Sequence, residues 1–182
     1  MKAAKNLNNE YIAQVIGYLC SSRIENGLLK KNMKKTLKII VIVLFVGFIG
    51  IQFIRPDFTN PPIVAGQTLE ENVQVPENVQ AILKKSCNDC HSNTTVYPWY
   101  SYIQPSASFL KSHIDDGRKE LNFSDWKTYD AKKQRRKLAE VCEEIQSKAM
   151  PLPSYLWVHW GAKLSDEQIK IICDWTESER AK

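Results

Sequence analysis

The sequence predicts an all-α protein, a single transmembrane helix followed by one small helical domain. Three observations carry that expectation. Residues 39–54 run I-I-V-I-V-L-F-V-G-F-I-G-I-Q-F-I, with Gln52 as the one polar side chain. Farther on, four segments repeat apolar residues at i, i+3, i+4 spacing, the mark of helices with one buried face. No stretch sustains the two-residue alternation of a half-buried strand.

With Leu37 and Lys38 the apolar run becomes 18 residues, 37–54, which at about 1.5 Å per residue spans about 27 Å, close to a bilayer's hydrocarbon core. The competing reading is a buried core helix, and the absence of a polar face anywhere along the run tells against it. Lys30, Lys31, Lys34, Lys35 and Lys38 precede it and only Arg55 follows. That asymmetry places residues 1–36 in the cytoplasm and the bulk of the chain on the outer, periplasmic side of a bacterial cytoplasmic membrane. No small-x-small pair closes the run, so the segment is expected to stay as a signal anchor instead of being cleaved. Met33-Lys34-Lys35-Thr36-Leu37-Lys38 looks like a complete export-signal start, so the expectation is that translation begins at Met33 and that residues 1–32 are an over-extended gene start.

Charge follows the same partition. Through Pro56 there are nine Lys/Arg against Glu10 and Glu25, a net +7, and the remainder carries 16 basic and 18 acidic residues, a net −2. The overall +5 belongs to the N-terminal part. The domain itself is slightly acidic, which excludes nucleic acid as a partner on charge grounds.

Residues 55–75 hold two consecutive prolines, Pro61 and Pro62, and no lasting periodicity, as a linker would. The domain proper is 76–182. Its first helix runs through Val79, Ile82 and Leu83, with Pro76 suited to the first turn. It leads into Cys87-Asn88-Asp89-Cys90-His91, and C-x-x-C-H is the pattern at which two thiols add to haem vinyl groups while the adjacent histidine ligates the iron. On a helix, Cys90 lies about 300° and His91 about 400° beyond Cys87. Both sulfurs and the imidazole therefore share one face and can meet a single flat macrocycle. The same residues could form a redox dithiol or half of a zinc site. A dithiol site expects a strand before it, where here there is a helix. A zinc site needs further ligands, and Cys142, Cys173, His113 and His159 are single and widely separated.

After the motif comes a loop rich in aromatics and proline, residues 92–105. A helix is expected over 106–116, with Phe109, Leu110 and Ile114 apolar and Gly117 as its stop. Ser124 is expected to cap a short turn in Asn122-Phe123-Ser124-Asp125-Trp126. A stronger helix is expected over 130–148, with Leu138, Val141, Cys142 and Ile145 as its stripe, broken at Met150-Pro151. The last helix opens on a capping box, Ser165 with Gln168 three residues on, and buries Ile169, Ile172, Cys173 and Trp175.

Beyond C-N-D-C-H, the chain carries Tyr97-Pro98-Trp99-Tyr100-Ser101, Gly117-Arg118, Leu121-Asn122-Phe123-Ser124-Asp125-Trp126, Met150-Pro151, Ser154-Tyr155, His159, Leu164-Ser165 and Trp175 in order. These pieces resemble the single-haem, membrane-anchored haem-binding domain proteins of bacteria, which belong with c-type cytochromes. The resemblance covers about residues 76–176. It implies a cytochrome c-like arrangement of helices around one covalently bound haem c per chain, and a physiological role only loosely. The Cys142/Cys173 pair and the extension before Met33 depart from the family pattern.

The expected haem ligands follow. Cys87 and Cys90 hold the group, and His91 supplies the proximal iron ligand as neutral imidazole, its other nitrogen donating to a backbone carbonyl, for which the loop before Pro98 is a reasonable source. For the opposite face the candidate is Met150, a thioether in an irregular loop just after a helix; resemblance to the Met-Pro ligand loop of small c-type cytochromes adds weight. Its alternatives are His159 as ligand, or Met150 as a gap-filling core residue. His159 otherwise reads as a buried hydrogen-bonding group, and His113 as a helix-edge residue. Cys142 and Cys173 could form a disulfide or remain two buried thiols. The basic run Lys132-Lys133-Gln134-Arg135-Arg136-Lys137 reads as a solvated face, with a docking surface for an acidic partner as the other reading.

The function these expectations favour is one-electron transport by a membrane-anchored monohaem c-type cytochrome, a carrier and no enzyme, serving an unidentified redox partner. Two readings compete with it. One is a haem peroxidase or a gas or redox sensor with a displaceable sixth ligand. The other is a thiol or zinc module built on the C-x-x-C pair.

Overall fold

The computed structural model describes residues 33–182. The expected over-extended start, residues 1–32, lies outside the described residues. Two units separate at Ile54 and Arg55, and each is described by itself.

In the first unit, residues 33–51 form helix α1. Its end overturns the expected membrane span. The helix stops at Ile51 and the chain turns at Gln52 and Phe53, while Lys34, Lys35 and Lys38 occupy its first two turns. The uninterrupted apolar helix is thus residues 39–51, about 20 Å long against the roughly 30 Å of a bilayer core. Among the described residues no helix is long and apolar enough to cross a membrane. The transmembrane helix, the single-pass anchor, the membrane as partner and the periplasm-facing location deduced from it are corrected accordingly. The apolar run continues through Phe53 and Ile54, but the helical backbone ends before them, and hydropathy does not show that end.

The second unit is all-α, with no strand among its residues. The expected linker is part of it. Thr68 and Glu71 form a reciprocal capping box that starts α2 (Leu69–Asn72), and Leu69 and Val75 are buried in the core. Asn60 donates to Thr95 O at 2.9 Å, and Lys127 N donates to Gln67 O at 3.0 Å. Proline content made this segment look free, but its hydrogen bonds go to the domain.

Helix α3 (Glu77–Ser86) buries Val79, Ile82 and Leu83, the predicted stripe. It runs through Cys87 into the single turn α4 (Asn88–His91). A 3₁₀ turn over Trp99–Tyr102 leads to α5 (Ser106–Glu120). That helix does not stop at Gly117 and continues for three residues. After a second 3₁₀ turn, Phe123–Thr128, Asp130 caps α6 (Ala131–Gln146). In that turn the cap is Asn122, whose side chain accepts from Ser124 N; Ser124 instead accepts from Asn93 N at 2.9 Å. A short α7 (Pro153–Leu156) and a turn at Trp160–Ala162 precede α8 (Asp166–Arg180), which opens on the predicted Ser165/Gln168 capping box.

Helices α6 and α8 pack along one another and are joined by a disulfide between Cys142 and Cys173. The core lies between this pair, α3 and the α2 segment, around Leu69, Leu83, Trp126, Leu138, Ile172 and Trp175. Full burial of one such aliphatic side chain contributes about 1.5–3 kcal/mol. This layer carries α3 on one side and so fixes the position of the motif at its end.

Candidate haem site

His91 is positioned through its backbone and its ring. Its N–H and that of Cys90 both donate to Cys87 O, closing the turn of α4. Its ring Nδ1 lies 3.0 Å from both Gly117 O and Leu121 O. Carbonyls can only accept, so Nδ1 carries the proton and Nε2 keeps its lone pair. The partners lie at the end of α5, Gly117 O in its last turn, which also accepts from Leu121 N at 2.9 Å, and Leu121 O just past it, and not in the loop before Pro98 as expected. Burial, with Lys137 adding a smaller push, lowers the His91 pKa below its ordinary value against the pull of the two carbonyls. The imidazole is therefore neutral near pH 7, the form that binds a metal.

Gly117 is where α5 meets the motif. A Cβ on it would come within 2.7 Å of Cys90 O and 3.1 Å of Cys90 Cβ. The sequence signal for Gly117 was misread as a helix stop; its function is close approach.

Next to the motif, Arg118 clamps the following loop. Its Nε donates to Ser92 O at 2.9 Å, and its terminal nitrogen to Asn60 Oδ1 and Thr95 Oγ1, both at 2.8 Å. Asp89 O accepts from Thr95 Oγ1 at 2.6 Å, and Asp89 Oδ2 accepts from Tyr155 O–H at 2.8 Å. The motif is held on both sides before any ligand is considered.

Two contiguous cavities of about 230 and 290 Å³ open beside it, sharing Ser86, Cys87, His91, Glu120, Met150 and Pro151. The first extends over Leu121, Phe123, Val141 and Ile145, with Lys137, Glu140 and Glu144 at its polar margin. The second reaches Cys90, His113, Asp116 and Tyr155. Met150 lines both, facing the space that His91 also lines. His159 lines neither.

Cys87 and Cys90 are unpaired thiols. Burial first and Cys90 second push the Cys87 thiol up to about 12. Burial and Asp89 push Cys90 up to about 11, against Arg118. A reactive dithiol needs a depressed pKa, so these thiols do not suit the dithiol reading. Among the described residues no three His, Cys, Asp or Glu side chains gather at metal-binding distance, which leaves the zinc reading without ligands.

The donor set fits a haem: a neutral imidazole nitrogen, a thioether, two protonated thiols and apolar walls, all on one continuous space. Sequence reasoning missed Lys137, which was grouped with a solvated basic run. It is buried, lines the first cavity, and its Nζ lies 2.6 Å from Glu140 Oε2 and 3.7 Å from Glu120 Oε2. Its place in the i, i+3 register of α6 with Glu140 was the available signal.

The sequence profile of the haem-binding domain matches residues 46–178, well over half the chain. This protein belongs to the haem-binding domain family. A curated relative, the cytochrome c peroxidase Ccp of Escherichia coli (strain K12), is 28% identical over 101 residues, 54% of this chain. The chain spans only 22% of that relative's length. No solved structure matches the fold.

These findings correct the expected function. The family makes this a haem-binding domain, but the membrane-anchored monohaem electron carrier is not what they favour. The anchor is absent from the described helices, and a relative that is itself an enzyme runs against a carrier with no enzymatic role. The carrier reading came from the haem motif and Met150, which carriers and peroxidases can share.

Proposed function

We propose that this haem-binding domain holds one haem c and works in peroxide-linked redox chemistry, with a sixth ligand that gives way to substrate. Cys87 and Cys90 carry the group through thioethers, His91 ligates the iron through Nε2, and Met150 is the displaceable ligand. The observation that supports this most directly is the pair of carbonyls on His91 Nδ1, which leaves Nε2 free beside a cavity that Cys87 and Met150 share. Similarity to a peroxidase supports the choice between carrier and peroxide chemistry.

When bound, the haem supplies an iron centre at which peroxide can be reduced. The chain's own residues do the rest. The two carbonyls on Nδ1–H fix the ring and raise its basicity toward the iron. A thioether is a weak ligand held on a loop, so it can leave without disturbing the thioether bonds. Glu140 and Glu144 line the lobe beside Met150, and Lys137 Nζ holds Glu140 there at 2.6 Å, so charged groups would border the open side of the site.

The test is a visible and EPR spectrum of the haem-loaded chain before and after hydrogen peroxide. Haem that stays with the protein after acid–acetone extraction, and a centre whose bands change within mixing time, are the expected results. Freely extracted haem would overturn the covalent assignment. A low-spin spectrum indifferent to peroxide would overturn the peroxide reading.

A further inference from the structure

Four aromatic rings run from the cavity to the surface. Tyr155 lines the second cavity with Cys90 and His91. Its ring centroid lies 4.1 Å from that of His159. His159 lies 6.0 Å from Tyr100, and Tyr100 lies 5.8 Å from Trp99. Trp99 is 75% exposed. The chain of rings thus begins at the site and ends in solvent with no gap wider than ordinary aromatic contact.

The polar atoms along it are also specific. Tyr100 O–H faces His159 Nε2 at 3.3 Å, while His159 Nδ1 is buried without a hydrogen-bond partner. Burial keeps His159 neutral near pH 7, against a weaker pull from Asp89, so Nε2 can accept the phenolic proton. Tyr155 is different: its O–H is committed to Asp89 Oδ2 at 2.8 Å, which ties the inner end of the path to the C-x-x-C-H turn itself.

We propose that Tyr155, His159, Tyr100 and Trp99 form an electron relay between the haem cavity and a one-electron donor at the surface, with His159 as proton acceptor for Tyr100. The relay rests on the peroxide reading for its physiological use. In each pass Tyr100 loses an electron toward the cavity and its phenolic proton to His159 Nε2. Trp99 then returns an electron to Tyr100, which recovers its proton from His159. A one-electron donor in solution, for which ferrocyanide is the probe, re-reduces Trp99. Two passes supply the electrons of H2O2 + 2 e− + 2 H+ → 2 H2O.

Pulse radiolysis of the full-length, haem-loaded, reduced protein tests the relay without peroxide. Azidyl radical oxidises exposed tryptophan, and Trp157 and Trp160 are exposed as well as Trp99, so all proteins compared carry Trp157→Phe and Trp160→Phe. The expected result is an intramolecular phase, independent of protein concentration, in which the haem bands become those of the oxidised form. That phase should be lost in Trp99→Phe and in Tyr100→Phe, and slowed in His159→Gln. Trp99 is exposed and Phe keeps the Tyr100 ring, so unchanged melting curves verify the fold. Retention of the phase in both Trp99→Phe and Tyr100→Phe, or its absence from the protein with Trp99 and Tyr100 intact, overturns the relay. Freeze-quench EPR after peroxide then separates the two proposals. A tyrosyl signal that disappears in Tyr100→Phe supports both. An intact radiolysis phase with no response to peroxide leaves the relay standing and removes the peroxide function.

Discussion

Gly117 and Cys90 approach so closely that a single methyl group would separate them: a Cβ on Gly117 would lie 2.7 Å from the Cys90 carbonyl oxygen. Glycine inside a helix costs about 1 kcal/mol relative to alanine, and α5 accepts that cost in its fourth turn. In return the end of α5 comes near enough for Gly117 O and Leu121 O to reach His91 Nδ1. One backbone contact therefore sets the orientation of the proposed iron ligand.

Gly117→Ala should accordingly harm the site despite its higher helix propensity. The atom it meets is backbone, so α5 must move away from the motif. Overpacking of this kind costs about 1–3 kcal/mol. Thermal melting should show that loss together with a lower haem-to-protein ratio. A variant as stable as the wild type, with full haem content, would show that α5 can shift freely.

Met150→Ala should open the iron without releasing the haem. On the proposed assignment the thioether is the weak ligand, and the two sulfur links to Cys87 and Cys90 would be untouched. The expected spectrum is high-spin or water-ligated, with ready carbon monoxide binding, a lower reduction potential and a faster response to peroxide. His159→Ala should leave the spin state unchanged, since His159 lines neither cavity. The reverse pattern, a high-spin iron only in His159→Ala, would transfer the sixth-ligand role to His159.

How far the sequence reached depended on whether a signal was local. The stripe Val79, Ile82, Leu83 and the Ser165/Gln168 box are written within a few residues, and α3 and α8 form where those signals fall. The spacing of Cys87, Cys90 and His91 is local too. What it could not show was the source of the His91 hydrogen bonds, which come from 26 and 30 residues away. Gly117 has two meanings, stop or close approach, and only the packing of α5 on α4 decides between them. Lys137 looked like its exposed neighbours because burial is set by α6 lying over the cavity. The membrane span failed for a similar reason, since hydropathy continued past the point where the helix ends.

The disulfide between Cys142 and Cys173 should stabilise the α6–α8 pair without touching the iron. It closes a loop of sequence separation 31, for which chain-entropy arguments give about 3–4 kcal/mol. Replacing both cysteines by serine should lower the denaturant midpoint by a corresponding amount, with haem bands unchanged. Chemical reduction should reproduce the shift in the wild type and have no effect on the variant.

Stability in alkali should depend on Tyr155. Burial raises its pKa above the ordinary value of 10.0, and the hydrogen bond to Asp89 adds to the shift. Burial, then Asp89, also raises Tyr100. A raised pKa means that above about pH 10 the unfolded chain has released protons that the folded chain still holds, so stability falls as pH rises. Below that pH both states keep the phenolic proton and the contribution is present in full. The wild-type melting temperature should therefore be flat on the acid side of about pH 10 with respect to these groups and decline above it. Tyr155→Phe cannot ionise, and it also loses the bond to Asp89, so it should start lower at neutral pH and decline less steeply. Parallel curves for the two proteins between about pH 9 and 11.5 would show that Tyr155 ionises as readily in the fold as in water.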